Sequence, residues 1–225
     1  MASSPSDILT PFQEEVLRAV SARNPAFFLT GGTALAAFYL GHRRSDDLDF
    51  FTIDDAAWAS VAAAAEGAAR DLGAEIEWTR TAPQFRRCVL SRGADAVVAD
   101  FVRDIDAQIV REKPTRDGIV VDSIEDIAAN KICTLLGRQE AKDYIDVYFL
   151  AKAGIDPLAM VPLANRKDAG VNPAVLAMIL DDPPIREIPR RVLRPPSLGE
   201  IRAFFQELGR RFADAAYPGR TSTPG

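Results

Sequence analysis

The chain has 225 residues, 48% of them hydrophobic and 26% charged, a balance that suits a folded globular protein and excludes a disordered or fibrous one. With 32 acidic against 27 basic residues the net charge is −5, so no overall basic character marks a nucleic-acid binder, although a local basic patch is still allowed. Cys88 and Cys133 lie far apart with no C-x-x-C spacing, which argues against zinc or a disulfide framework and makes both small apolar core residues. No charged-then-apolar leader and no apolar run of about 18 residues occurs, so the expectation is a cytoplasmic protein with no membrane partner.

In chain order, MASSPS at the start is small and polar, the composition of a frayed terminus, as is RTSTPG at the finish. Thr10-Pro11-Phe12-Gln13 reads as a capping box with proline at the first helical position, and Phe12, Val16, Leu17 and Val20 then share one helical stripe. Residues 26–30 suit a short buried strand, Gly31-Gly32 breaks it, and 33–40 reads as a short helix. A second strand covers 48–52. Asp54 or Asp55 then caps one long Ala-rich helix to about Leu72, stopped by Gly73. Three β-rich runs follow at 75–81, 85–92 and 96–102, with Arg92-Gly93-Ala94-Asp95 as a hairpin turn, and 119–121 offers another short strand. Ser123 caps a helix to about Leu136, and 140–152 forms the next, with Tyr144, Val147, Tyr148 and Leu150 on its apolar side. From Gly154 onward prolines, among them Pro157 and Pro162, cut the chain into short pieces, leaving helices at 172–180 and 198–216. The pattern predicts an α+β architecture, with a mixed sheet flanked by helices in 1–122 and a helical region in 123–225 that completes the active-site cleft.

The chemistry gathers in the acids. Asp47 and Asp49 stand two apart in a β-like run, so the pleat puts both carboxylates on one face, where they repel each other unless a cation sits between them. Hard divalent ions take such oxygen ligands and serve in-line phosphoryl displacement. Asp100, embedded in the apolar run Val97 to Val102, offers a third carboxylate where an acid is otherwise expensive to bury. Gly31-Gly32-Thr33, between a strand and a helix start, brings backbone N–H groups close to an anion, with the Thr33 hydroxyl beside them. Each feature alone is commonly a plain turn or a solvated acid; their combination points to one site. Arg43 and Arg44 stand just ahead of the acids and could grip phosphate, and Ser45 could either take part or cap the turn. His42 is the chain's sole histidine, which leaves no partner scheme of the Ser-His or Cys-His kind elsewhere.

Gly31-Gly32-Thr33, thirteen intervening residues and then Asp47-Leu48-Asp49-Phe50 resemble the signature of the DNA polymerase β-type nucleotidyltransferase superfamily. The fuller string, GGTAL followed by H-R-x-S-x-DLDFF, resembles one branch, the AbiEii/AbiGii abortive-infection toxins, relatives of the MenT toxins. Lys131, Arg138 and the run Lys142-Asp143-Tyr-Ile-Asp146 are similar to that branch's later helical pattern, and the likeness spans about residues 26–152. The resemblance implies a nucleotidyltransferase-type sheet, Mg²⁺- or Mn²⁺-dependent transfer of a nucleotide from an NTP, and a toxin held in check by a cognate antitoxin. It implies metal ligation by Asp47, Asp49 and Asp100, nucleotide contacts from Gly31, Gly32, Thr33, Arg44, Ser45 and Lys131, and catalytic roles for the three acids and Lys131. Asp143 and Asp146 share a helix face; either acts at the site or holds Lys131 or Arg138.

The acceptor is open at this level. tRNA is the first expectation, and a small molecule or protein side chain is the second; a nucleotide-binding module without turnover is the third. Clustering of Arg43, Arg44, Arg80, Arg86, Arg87, Arg190, Arg191 and Arg194 around the acids would favour RNA.

Overall fold

Reciprocal capping starts the first helix, as the sequence predicts. The Thr10 hydroxyl accepts the Gln13 N–H while the Gln13 side-chain oxygen accepts the Thr10 N–H, and α1 runs Pro11–Arg23 with Phe12, Val16, Leu17 and Val20 buried. The structure is a computed structural model that describes residues 8–104, 107–138 and 140–218, so the expected frayed ends, 1–6 and 220–225, lie outside the described residues. Two compact units divide the chain, one ending at Ile127 and one beginning at Ala128, a boundary that falls inside a helix rather than ahead of it.

The first unit is built on a five-stranded sheet: β1 (Phe28–Thr30), β2 (Asp47–Thr52), β3 (Glu75–Ala82), β4 (Phe85–Arg92) and β5 (Asp95–Arg103), in the spatial order β1-β2-β5-β4-β3. β2 and β5 run parallel, and every other neighbouring pair in this sheet is antiparallel. A parallel pair needs a long crossover, and here the chain leaves β2 and makes two helices and the β3–β4 hairpin before returning as β5. Between β1 and β2, α2 (Gly31–Leu35) continues without a break into a single π-helical stretch, Ala36–Leu40, which Gly41 ends at φ 60°.

One expected helix is two. Asp54 caps α3 (Asp55–Ala59) by accepting the Ala57 N–H, but Ser60 interrupts before α4 (Val61–Asp71). The Ser60 hydroxyl donates to the Ala57 carbonyl and accepts from the Asn24 side chain, the local competition with helical bonding that serine offers.

Strand alternation sorts the sheet into two faces. Leu48 and Phe50, Cys88 and Leu90, and Val97, Ala99 and Phe101 are buried on one side, where Phe101 stacks on Phe50 at 5.2 Å and meets Phe27 edge-on at 5.6 Å. Burial pushes the Cys88 thiol up to about 12, which fits its reading as an apolar core group, and the half-buried Cys133 is raised to about 11 for the same first reason. The other face carries Asp47, Asp49 and Phe51 from β2 and Val98, Asp100 and Val102 from β5.

A small ribbon, β6 (Thr115–Arg116) with β7 (Ile119–Val120), follows, and Val121 bridges to Leu29. Helix α5 (Ile124–Gly137) starts at Ser123, whose hydroxyl accepts the Asp126 N–H. Its first turn closes the unit through charge: the Lys113 ammonium lies 2.6 Å from Asp122 and 2.9 Å from Asp126, and 4.9 Å from the Phe28 ring centre. Asp126 also accepts the N–H groups of Ile109 and Val110.

The second unit is helical: the remainder of α5, then α6 (Ala141–Lys152), α7 (Pro157–Lys167), α8 (Pro173–Ile179) and α9 (Leu198–Ala216). Helix α7 corrects the expectation that prolines cut this stretch. Pro157 occupies the first turn behind the Asp156 cap, where its missing N–H is not needed, and Pro162 is carried inside the helix. Tyr144 meets Phe205 edge-on at 5.2 Å, and Phe204 does the same to Tyr148, which locks α6 to α9. Among the described residues, no helix is long and apolar enough to cross a membrane.

Replacing Lys113 by methionine would strand two buried carboxylates. The expected loss is about 3–5 kcal/mol, read as a lower denaturation midpoint in urea.

Candidate active site

The geometry of the acid face follows from two facts of strand pairing. In the parallel β2–β5 pair Asp49 stands opposite Asp100, and Asp47 stands opposite Val98, so the three carboxylates share one side of the sheet. In the antiparallel β4–β5 pair Arg87 stands opposite Asp100. The guanidinium grips that carboxylate with both prongs: Nε donates to Oδ1 and Nη2 to Oδ2, each at 2.6 Å. Asp100 is buried, while Asp47 and Asp49 are partly exposed.

The glycine turn packs directly against this face. Gly31 has φ 68°, and a Cβ there would come within 2.2 Å of Asp49 Oδ2; a Cβ on Gly32 would come within 2.1 Å of Arg43 Nη2. Gly31 is favoured by both its left-handed backbone and its approach to Asp49, whereas a side chain at Gly32 would only have to displace the end of the Arg43 side chain. Thr33 is fully buried and its hydroxyl donates to the Asp47 carbonyl, which ties the turn to the acid strand. Arg43 is also buried and donates to the Arg44 carbonyl at 3.1 Å, whereas Arg44 is exposed. Ser45 Oγ lies 3.3 Å from the Cβ position of Gly32, so Ser45 borders the turn as well. His42, in the same loop, is buried.

One positioning residue escaped the sequence reading. The Gln13 amide, already part of the α1 cap, donates to the carbonyls of Ser45 and Asp46, both at 2.9 Å, and so fixes the approach to Asp47. Its capping role was legible from Thr10-x-x-Gln13; its second task was not, because the partner loop is over thirty residues away. Arg87 was legible only as a basic residue. The remaining arginines of β3 and β4 separate by alternation: Arg80 and Arg87 lie over the Phe85 ring, while Arg86 lies over Trp58.

Lys131, Asp143 and Asp146 belong to the second unit and form their own cluster. The Lys131 ammonium lies 2.9 Å from Asp143 and 2.6 Å from Asp146, and Arg138 adds a two-pronged grip on Asp143. Of the two alternatives for these acids, holding Lys131 and Arg138 is the one this geometry displays. Burial alone would raise the Asp143 carboxyl, but Lys131 and Arg138 outweigh it and hold the group below its ordinary value.

Among the described residues, no group of three or more His, Cys, Asp and Glu side chains stands ready to hold a metal ion. The donor chemistry of Asp47, Asp49 and Asp100 suits a hard divalent cation, but both oxygens of Asp100 are engaged by Arg87.

A strand, a glycine turn into a helix, two acids on the next strand and a third across a parallel pair form the arrangement that the resemblance to nucleotidyltransferases implies. The chain belongs to the AbiEii family: residues 15–221 match the model described as "Nucleotidyl transferase AbiEii toxin, Type IV TA system". It is 28% identical over 156 residues to an uncharacterized protein, aq_aa25, of Aquifex aeolicus (strain VF5), covering 68% of this chain and 72% of that one. Two solved structures share the fold. One is described as "Crystal structure of putative nucleotidyltransferase from H. pylori" (TM-score 0.61, 19% identity, 91% of this chain and 94% of that one). The other is JHP933 from Helicobacter pylori (TM-score 0.57, 19% identity, 90% and 93%).

Two outcomes are expected from this geometry. Gly31→Ala would push Asp49 out of place and strain a left-handed backbone position. A melting experiment should show a loss on the order of 1–3 kcal/mol, and a labelled-NTP assay should show loss of transfer. In the second unit, the pKa of Asp143 is lowered by folding, so its stabilisation is present above the unfolded value of about 4 and lost as pH falls from there through the lower folded-state value. Urea midpoints measured from pH 7 down to pH 3 should fall steeply below about pH 4. Asp143→Asn should start lower at neutral pH and follow a flatter line.

Proposed function

We propose that the protein transfers a nucleotide from an NTP to a hydroxyl acceptor on RNA, with tRNA the foremost candidate, in the cytoplasm, and that this activity is the toxic one which an antitoxin restrains. The observation that carries the reading is the placement of Asp47, Asp49 and Asp100 on one sheet face with the Gly31-Gly32 turn packed on Asp49. In this reading the backbone N–H groups of the turn receive the triphosphate and Arg44, exposed at its rim, contacts it from outside. Asp47 and Asp49 would hold Mg²⁺ or Mn²⁺, with Asp100 as the third ligand once it is released from Arg87. A divalent ion bound there supplies Lewis-acid stabilisation of the charge that develops on the phosphate oxygens. Asp100 also takes the proton of the acceptor hydroxyl. The acceptor oxygen bonds to the α-phosphorus, the bond from that phosphorus to the bridging oxygen breaks, and pyrophosphate leaves with the electron pair. Thr33 and Ser45 support the turn, and we assign Lys131, Asp143 and Asp146 to holding α5 against α6.

Arg80 and Arg87, on the same face of the hairpin as Asp100, favour a polyanionic acceptor over a neutral small molecule or a protein side chain. The test is incubation of purified protein with each labelled NTP, Mg²⁺ or Mn²⁺, and total RNA. Label is expected in the RNA fraction, with transfer reduced by at least about a thousandfold in Asp47→Asn, the scale of removing a group that stabilises developing charge. Label on a small molecule or on protein would replace the acceptor. Absence of transfer to any fraction, with toxicity intact in Asp47→Asn cells, would overturn the reading.

A further inference from the structure

We propose that Arg87 is an internal stand-in for the metal ion: it holds Asp100 and has to let go before that carboxylate can act as ligand or base. The inference rests on the metal-dependent reading above. Three carboxylates on one sheet face repel one another, and a fold that lacked any cation there would meet that repulsion in full. The fork of Arg87 supplies the missing charge at the one acid of the three that is buried, with both of its oxygens engaged. The charges of Asp47 and Asp49 also act on the same guanidinium, after its hydrogen bonds to Asp100.

The two partners differ in freedom. The Arg87 side chain is 42% exposed and that of Asp100 only 9%, so the arginine is the member able to leave while the acid stays in the sheet. Arg87 already lies over an aromatic ring while it holds Asp100, so leaving the acid does not cost it that contact. Arg87 Cζ is 5.7 Å from the Phe85 ring centre, and the Arg80 guanidinium is on that ring at 5.2 Å. Displaced from Asp100, Arg87 remains on the acid-bearing face, next to Arg80, where the pair would meet a phosphate group rather than a carboxylate. Metal and arginine thus compete for one carboxylate, and the binding of the ion both completes the site and frees a second cation.

Competition has a signature that a merely structural arginine lacks: removing it should tighten metal binding. Mn²⁺ titrations followed by the electron paramagnetic resonance of the free ion, without nucleotide, would compare the wild type with Arg87→Gln, Arg87→Lys and Asp49→Asn. Arg87→Gln is expected to bind Mn²⁺ about tenfold or more tightly than wild type, the scale of losing one charge-assisted competitor. Its metal-free form should melt below the wild type, and saturating Mn²⁺ should close that gap. Arg87→Lys, which keeps the charge but not the fork, should fall between the two and covers the case in which the glutamine variant does not fold. Unchanged or weaker Mn²⁺ affinity in both Arg87 variants, with binding abolished in Asp49→Asn, would overturn the competition and leave the metal site standing. If no protein of the set binds Mn²⁺, the metal reading fails and the competition falls with it.

Discussion

Repulsion among carboxylates brought to one sheet face is the constraint on which the first unit depends. The parallel pairing of β2 and β5 sets Asp49 opposite Asp100, and the pleat adds Asp47 to the same side. Several otherwise unrelated features answer to that placement. Gly31 lacks a side chain where one would strike Asp49, Thr33 ties the turn to the Asp47 carbonyl, Gln13 fixes the two residues ahead of the strand, and Arg87 neutralises the buried acid. None of these interactions is local to the acids in sequence. The site is assembled from a helix cap, a turn, a loop and a hairpin, each of which carries at least one contact to the acid strands or the residues leading into them.

How much of this the sequence discloses depends on the range of the interaction. Caps are local, so the Thr10 box and a cap at Asp54 or Asp55 are readable from a few residues each, and so are the alternating strands. Failures occurred where a tertiary partner decided the outcome. Ser60 breaks the Ala-rich helix because Asn24 reaches its hydroxyl, a contact between residues 36 apart. Pro162 fails to break α7 because packing of Val161 and Ala164 holds the helix around a single absent N–H. The pairing of Arg87 with Asp100 is an intermediate case. Once Gly93-Ala94 is taken as the two-residue turn joining Arg92 to Asp95, counting five residues back and five forward lands on these two partners. The hairpin was recognised, and its register carried the site residue that composition alone left among the arginines.

The same elementary unit, an ammonium between two aspartates, occurs twice among the described residues: Lys113 with Asp122 and Asp126 in the first unit, and Lys131 with Asp143 and Asp146 in the second. In each the acids are almost wholly buried and the lysine side chain is enclosed with them. Pairs of this kind contribute little net stability relative to an apolar core, because desolvation of three charges offsets their attraction, but removal of one member leaves an uncompensated charge inside. Their effect is to specify a single arrangement: Lys113 joins the loop after β5 to the start of α5, and Lys131 joins α5 to α6.

What distinguishes these clusters from the acid face is the mobility of the cation rather than the number of carboxylates. A lysine whose side chain is 4–6% exposed, enclosed by two acids, has no route by which an external ion could replace it without unfolding its surroundings. Arg87 faces one buried acid from the solvent side, beside two partly exposed ones, and its guanidinium is weakly hydrated and able to settle on an aromatic ring. Asp143 also meets Arg138, half exposed like Arg87, but the enclosed Lys131 stays on that carboxylate if the arginine leaves; an acid whose ion pair is with a removable arginine, as at Asp100, can change partners. By that criterion Asp47, Asp49 and Asp100 suit the exchange of cations proposed above, even though the clusters look alike when counted as charges along the chain.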